Sequence, residues 1–181
     1  RGYMLHDIYC FHGIPYGAPT SGKNRFMPPQ PPASWEDVRP AVAFGASAPQ
    51  EFYDRRPESY SMFTDHWNYD TMGEDCLRLN VWTPGLKDGG KRPVLVWLHG
   101  GGFSKGNGIE QDGYDGENIT RRRDIVFCSI NHRLNAFGFC DLSSAGGEKY
   151  RHSANVGMLD IVAALEWVRD NIENFGGDPS N

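Results

Sequence analysis

Arg92-Pro93-Val94-Leu95-Val96-Trp97-Leu98-His99-Gly100-Gly101-Gly102-Phe103 is the stretch on which the reading of this chain turns. Residues 94–98 are apolar, with β-branched and aromatic members, and the proline ahead of them cannot donate to a sheet ladder. They read as a buried strand entered from a turn. Three consecutive glycines at its carboxyl end open backbone conformations closed to other residues and bring bare N–H groups close to a ligand. Such a turn can hold an anion or a developing oxyanion. A tight turn without chemistry is the plainer reading of three glycines taken alone.

The surroundings narrow the choice. A dinucleotide fingerprint needs a third glycine where Lys105 stands, and no Gly-Lys-Ser/Thr triplet supports a phosphate loop. The remaining pattern is similar to the HGGG-type loop of lipases and esterases, which forms half of an oxyanion hole. Bulk properties are those of a soluble globular protein. The 181 residues suffice for one domain with a sizeable core, 39% of them are hydrophobic and 23% charged. No apolar run is long enough to span a bilayer. A net charge of -5 argues against a nucleic-acid partner, whose contact surface carries a basic stripe. Cys10, Cys76, Cys128 and Cys140 form no Cys-x-x-Cys pair, so neither a zinc site nor redox chemistry is expected, and no cofactor is implied.

Working outward, Ile8 to Tyr16 reads as an aromatic-rich strand closed by Gly13 and Pro15. The proline-heavy passage after Arg25 is too stiff for a helix or central strand. Alone it resembles a polyproline ligand, but Phe26, Trp35 and Phe44 punctuate it with groups that seek a core. Residues 49–72 show no period and read as a long surface excursion. Leu77, Leu79 and Val81 alternate as in a half-buried strand, Glu117 to Arg123 suits a short helix, and residues 124–130 form another buried strand. One long helix follows, with Met158, Ile161, Leu165, Val168 and Ile172 at helical spacing, stopped by Gly176-Gly177 and Pro179. Strands alternating with helices imply an α/β fold with a mostly parallel central sheet and helices on both faces.

Several blocks together carry a family resemblance. They are Gly13-Ile14-Pro15-Tyr16, Arg25-Phe26-Met27-Pro28-Pro29, Glu74 through Trp82, His99 through Phe103, Ser129 through Leu134, Asn155 through Asp160, and Phe175-Gly176-Gly177-Asp178-Pro179. In this order they resemble the type-B carboxylesterases, the cholinesterase-like branch of the α/β-hydrolases. The resemblance implies that residues 1–181 are the N-terminal part of a single α/β-hydrolase domain, ending before the nucleophile elbow. It implies a serine hydrolase acting on small carboxylic esters through an acyl-enzyme. The nucleophile, acid and histidine would come from the remaining C-terminal part, so the segment alone would be inactive. Gly102-Phe103-Ser104-Lys105-Gly106 matches G-x-S-x-G in letters, but it belongs to the glycine turn itself, and no serine here sits on the strained strand-to-helix turn that exposes a nucleophile. Some relatives keep the fold without the nucleophile and serve in adhesion or binding, and that alternative stands beside catalysis.

Residue roles follow from the same resemblance. The N–H groups of Gly101 and Gly102 would face the oxyanion. Phe103 would line the acyl side of the pocket, or else belong to the core. Trp67 stands near the place where cholinesterases bind quaternary ammonium groups, with an ordinary packed aromatic as the other reading. Arg25 should pair with Glu74, and Arg133 with Asp160. His99 is read as structural, because the catalytic histidine of α/β-hydrolases follows the nucleophile in chain order. Ala48 occupies the position where extracellular members carry the disulfide partner of Cys76, so an intracellular or microbial type is expected.

Overall fold

The computed structural model describes residues 1–51 and 71–181. Tyr3–Leu5 (β1) and Ile8–Pro15 (β2) form a hairpin. His6 and Asp7 make its connection at φ 47° and 65°, the left-handed pair that a two-residue hairpin turn needs. Arg78–Thr83 (β3), Val94–Leu98 (β4) and Val126–Ile130 (β5) complete a sheet of order β1-β2-β3-β5-β4. Four α-helices are described, besides short 3-10 turns: α1 (Glu117–Arg123), α2 (Asn135–Phe139), α3 (Ser143–Gly146) and α4 (Val156–Asn171).

Over the described residues this sheet is mixed, where alternation in the sequence suggested a mostly parallel one. Only β4 and β5 run parallel, in register from Val94 beside Val126 to Leu98 beside Ile130. The other three pairings are antiparallel. Parallel neighbours need a crossover, and α1 supplies one between β4 and β5. The β1–β2 hairpin has none.

The core lies mainly between the sheet and α4. Leu79, Val81, Cys128 and Ile130 meet Ile161, Ala164 and Val168, which lie on one side of the helix at its natural period, and Ile172 just past its end. Met158 and Leu165, expected on the same stripe, are instead exposed with Val162. Leu95 and Leu98 on β4, at the edge of the sheet, are exposed as well. β3 departs from its half-buried reading because its second face is covered too, Trp82 packing on Phe127, Ile8 and Cys10. Asn80 points into that interior, where it accepts from the Gly13 N–H at 2.9 Å and donates to Ser129 Oγ at 3.0 Å. Buried amides need such partners.

In the proline-rich passage Phe44 packs against the second core and Phe26 stacks on Phe137. Trp35, expected inside, is half exposed with the Arg39 guanidinium 5.3 Å from its ring. All four cysteines are free. Among the described residues, no helix is long and apolar enough to cross a membrane.

Candidate active site

Because β4 and β5 are parallel, the segments leaving their carboxyl ends emerge side by side. In open α/β sheets that edge is where ligands bind. His99-Gly100-Gly101-Gly102 leaves β4, and Asn131-His132-Arg133 leaves β5. The two histidine rings stack with centroids 4.9 Å apart and planes 12° from parallel.

The direction of the glycine amides follows from where the neighbouring carbonyls are held. His99 Nδ1 lies 2.8 Å from Gly100 O. A carbonyl oxygen only accepts, so Nδ1 carries the proton. In a planar trans peptide the N–H points away from the C=O, so the Gly101 N–H faces away from the His99 ring. Gly101 O in turn accepts the Ser104 and Lys105 N–H groups at 3.1 and 3.3 Å and the Ser104 hydroxyl at 2.9 Å. Those three donors turn the Gly102 N–H outward. Among the described residues no acceptor takes the N–H of Gly101 or Gly102. Two free donors on an exposed turn are a natural seat for negative charge.

Glycine is required at one of these positions above the others. Gly101 has φ +114°, and a Cβ built there would run into Lys105 O. Gly102 has φ +60° with open space above it, and Gly100 is likewise unobstructed.

Groups from two other segments hold the turn and the loop that follows it. Asn135 donates its N–H to Phe103 O and its Nδ2 to Pro49 O, both at 2.7 Å. Asn131 Oδ1 accepts from the Gly108 N–H at 2.7 Å, and its Nδ2 donates to Ala46 O. Gln50 brackets Gly106, donating to its carbonyl at 2.9 Å and accepting from its N–H at 2.7 Å. These residues were not singled out by the sequence. Asn131 and His132 lie inside a block that marked the resemblance, whereas nothing local distinguishes Gln50.

Phe103 is 52% exposed and therefore does not belong to the core. Its ring lies 5.2 Å from that of Phe139. A cleft of about 710 Å³ beside the turn is lined by Pro49, Gln50, Ser104, Lys105, Asn135 and Phe137, among others. Trp67 lies outside the described residues, as does most of the 49–72 excursion. A separate cavity of about 420 Å³ gathers Phe11, Trp35, Trp167 and Phe175. It lies near the C-terminal end of α4; the chain beyond that helix pairs at Gly177 with Arg92, just ahead of β4, so the cavity is at the opposite end of β4 from the turn.

Both charge pairs sit in the scaffold behind the turn. Arg25 Nε and Nη2 donate to the two oxygens of Glu74 at 2.7 and 2.5 Å, at the surface. Arg133 Nε and Nη2 donate to Asp160 Oδ2 and Oδ1 at 2.8 and 2.6 Å, and its N–H adds a third bond at 3.0 Å. That second pair is almost wholly buried. Arg133 Nη1 also reaches Met27 O at 2.8 Å, so one guanidinium joins the loop after β5, the start of α4 and the proline-rich segment. Among the described residues no three His, Cys, Asp or Glu side chains converge as metal ligands.

Burial holds His99 and His12 neutral, pushing each down to about 4, and lowers His132 as well. His99 Nε2 and His12 Nε2 have no hydrogen-bond partner, so protonation would place a charge on a buried, unsolvated atom. The unfolded chain takes up these protons near 6.5 and the folded one only near 4. The folded state therefore keeps its full advantage above about 6.5 and loses it as pH falls through that window. Urea unfolding should show stability falling between pH 7 and 4 by roughly 3 kcal/mol for each of the two histidines. A flat profile over that interval would contradict their burial. The carboxylates held down by arginines, Glu74 by Arg25 and Asp88 by Arg92, lose their contribution at lower pH.

Comparison with known proteins places this chain in a family. The chain matches the model of the carboxylesterase family over residues 1–181. It is 40% identical to a para-nitrobenzyl esterase of Bacillus subtilis over 181 residues, covering 100% of this chain and 35% of that protein. It is 42% identical to a phenmedipham hydrolase of Pseudarthrobacter oxydans, covering 99% of this chain and 34% of that one. Among solved structures, an esterase of Clostridium hathewayi, described as able to hydrolyse aliphatic aromatic polyesters, superposes with a TM-score of 0.91 at 46% identity. That match covers 100% of this chain and 34% of the other. The chain thus spans about a third of the length of the relatives it matches, and across that span its sequence and its α/β-hydrolase fold agree: it belongs to the carboxylesterase family.

Proposed function

We propose that the full-length protein is a serine hydrolase of small carboxylic esters and that residues 1–181 belong to its single α/β-hydrolase domain. The observation that carries this reading is the pinning of the Gly100 and Gly101 carbonyls, which leaves the Gly101 and Gly102 amides unbonded and facing out. Membership of the carboxylesterase family supports it. A serine from the C-terminal part attacks the ester carbonyl while a histidine, oriented by an acidic residue, takes its proton. The carbonyl oxygen becomes an oxyanion between the two glycine amides and one further N–H. Collapse expels the alcohol and leaves an acyl-enzyme, which water resolves by the same route.

The exposed edge strand β4 and the uncovered apolar residues of α4 support a C-terminal part that continues the sheet and covers that face. Phe103, exposed on the turn, is read as facing the acyl group of the bound ester. The test is labelling of the full-length protein with a fluorophosphonate probe, together with hydrolysis of a para-nitrophenyl ester. Stoichiometric labelling of one serine with loss of hydrolysis is expected. A folded protein that neither labels nor hydrolyses is a binding domain, and the proposal falls.

A further inference from the structure

We infer that Gln50 is a positioning residue for ester hydrolysis, holding the glycine turn in the shape that directs its amides at the oxyanion. The inference rests on the function proposed above and adds to it a residue that touches neither substrate nor reacting atoms.

Gln50 lies fifty-six positions before Gly106 in the chain and meets it through two opposed hydrogen bonds. Its Nε2 also donates to Ala48 O at 3.1 Å. The amide therefore uses both N–H groups and its oxygen, and reversing it would set Nε2 against the Gly106 N–H and Oε1 against Gly106 O. Only one orientation works, and it clamps both sides of the Gly106 backbone as a neighbouring strand would.

Gly106 matters because of what it touches. Its φ is +106°, and a Cβ there would collide with Gly100 O and lie 2.7 Å from His99 Nδ1. The Gly106 α-carbon is thus seated against the Gly100 carbonyl and against the ring atom that donates to it. That carbonyl belongs to the same peptide as the Gly101 N–H, so its seat sets the direction of the donor. Gln50 fixes Gly106, Gly106 backs the Gly100 carbonyl, and the Gly101 amide is aimed in consequence. Donor geometry of this kind acts chiefly on the transition state, because charge on the oxygen develops only there.

The experiment compares the full-length wild type with Gln50→Ala, using a para-nitrophenyl ester and a trifluoromethyl ketone that matches its acyl chain. The ketone adds the serine oxygen to its carbonyl carbon and so presents a tetrahedral oxyanion. In Gln50→Ala, kcat should fall by about tenfold to a hundredfold, since small misplacements of catalytic groups cost that much. KM should stay within about threefold, and ketone affinity should fall in step with kcat/KM. If Gln50→Ala does not accumulate as folded protein, Gln50→Glu is read the same way. Its carboxylate keeps the length and accepts from Gly106 N–H but sets an oxygen against Gly106 O. A folded variant with kcat and ketone affinity within twofold of wild type overturns the inference and leaves the hydrolase reading intact. So does a variant that loses affinity for ester and ketone equally with kcat unchanged. A wild type inert to ester and ketone overturns both.

Discussion

Gly101→Ala in the full-length protein should lower kcat/KM for a small ester by about a thousandfold, the upper end of what removing one oxyanion donor costs. The φ of +114° lies outside the left-handed region near +57° that other residues sometimes enter. The added methyl also strikes Lys105 O, and the Lys105 N–H is one of the donors that hold Gly101 O. Relieving the clash therefore pulls apart the contacts that aim the Gly102 amide, so both donors suffer. The neighbouring glycines provide the control. Gly102→Ala meets nothing within 4 Å and adopts an ordinary left-handed φ of +60°, at a cost of about 1 kcal/mol. Its activity should fall by roughly tenfold or less. Gly100→Ala, in open space and without a positive φ, should stay near wild type. Steady-state kinetics on the three variants would show this gradient. Equal activities across them would mean that the turn is only a turn.

Asp160→Asn should destabilise the protein by about 3–5 kcal/mol, because it leaves the Arg133 guanidinium charged and uncompensated in the interior. Arg133 and Asp160 have side-chain exposures of 2% and 0%, so water cannot replace the lost charge. The carboxylate accepts three bonds from Arg133, one from the main chain, and the amide can neither accept all three nor neutralise the cation. Arg25→Ala is the contrasting measurement. That pair has equally good bidentate geometry, but Arg25 is 45% exposed, so solvent screens it and its loss should cost far less than that of Asp160. Urea denaturation of the two variants under the same conditions decides the matter. Similar costs would show that burial is not what separates the pairs.

The scaffold was legible to different depths in different places. β4 is plain from its apolar run, and α1 falls where a polar, arginine-rich stretch suits a short helix, because local pattern reports local structure when an element is regular and half buried. α2 and α3 are invisible to pattern, since helices of five and four residues do not persist on their own propensity. α2 is held from its first residue, where Asn135 at φ 46° is tied to Phe103 and Pro49. The split face of α4 was also hidden. Periodicity marks Met158 and Leu165 as apolar but not whether anything covers them.

The sequence by itself determined that a glycine turn follows an apolar strand, that two arginine–carboxylate pairs flank it, and that the whole resembles one enzyme family. Those features are local or carried by residue types at matched positions, so no coordinates were needed to see them. Tertiary structure alone decided which way the glycine amides face, which charge pair is buried, and that Gln50, His99 and Gly106 share one support. Peptide orientation depends on acceptors and donors brought together from segments some fifty residues apart, and only the folded chain closes such distances.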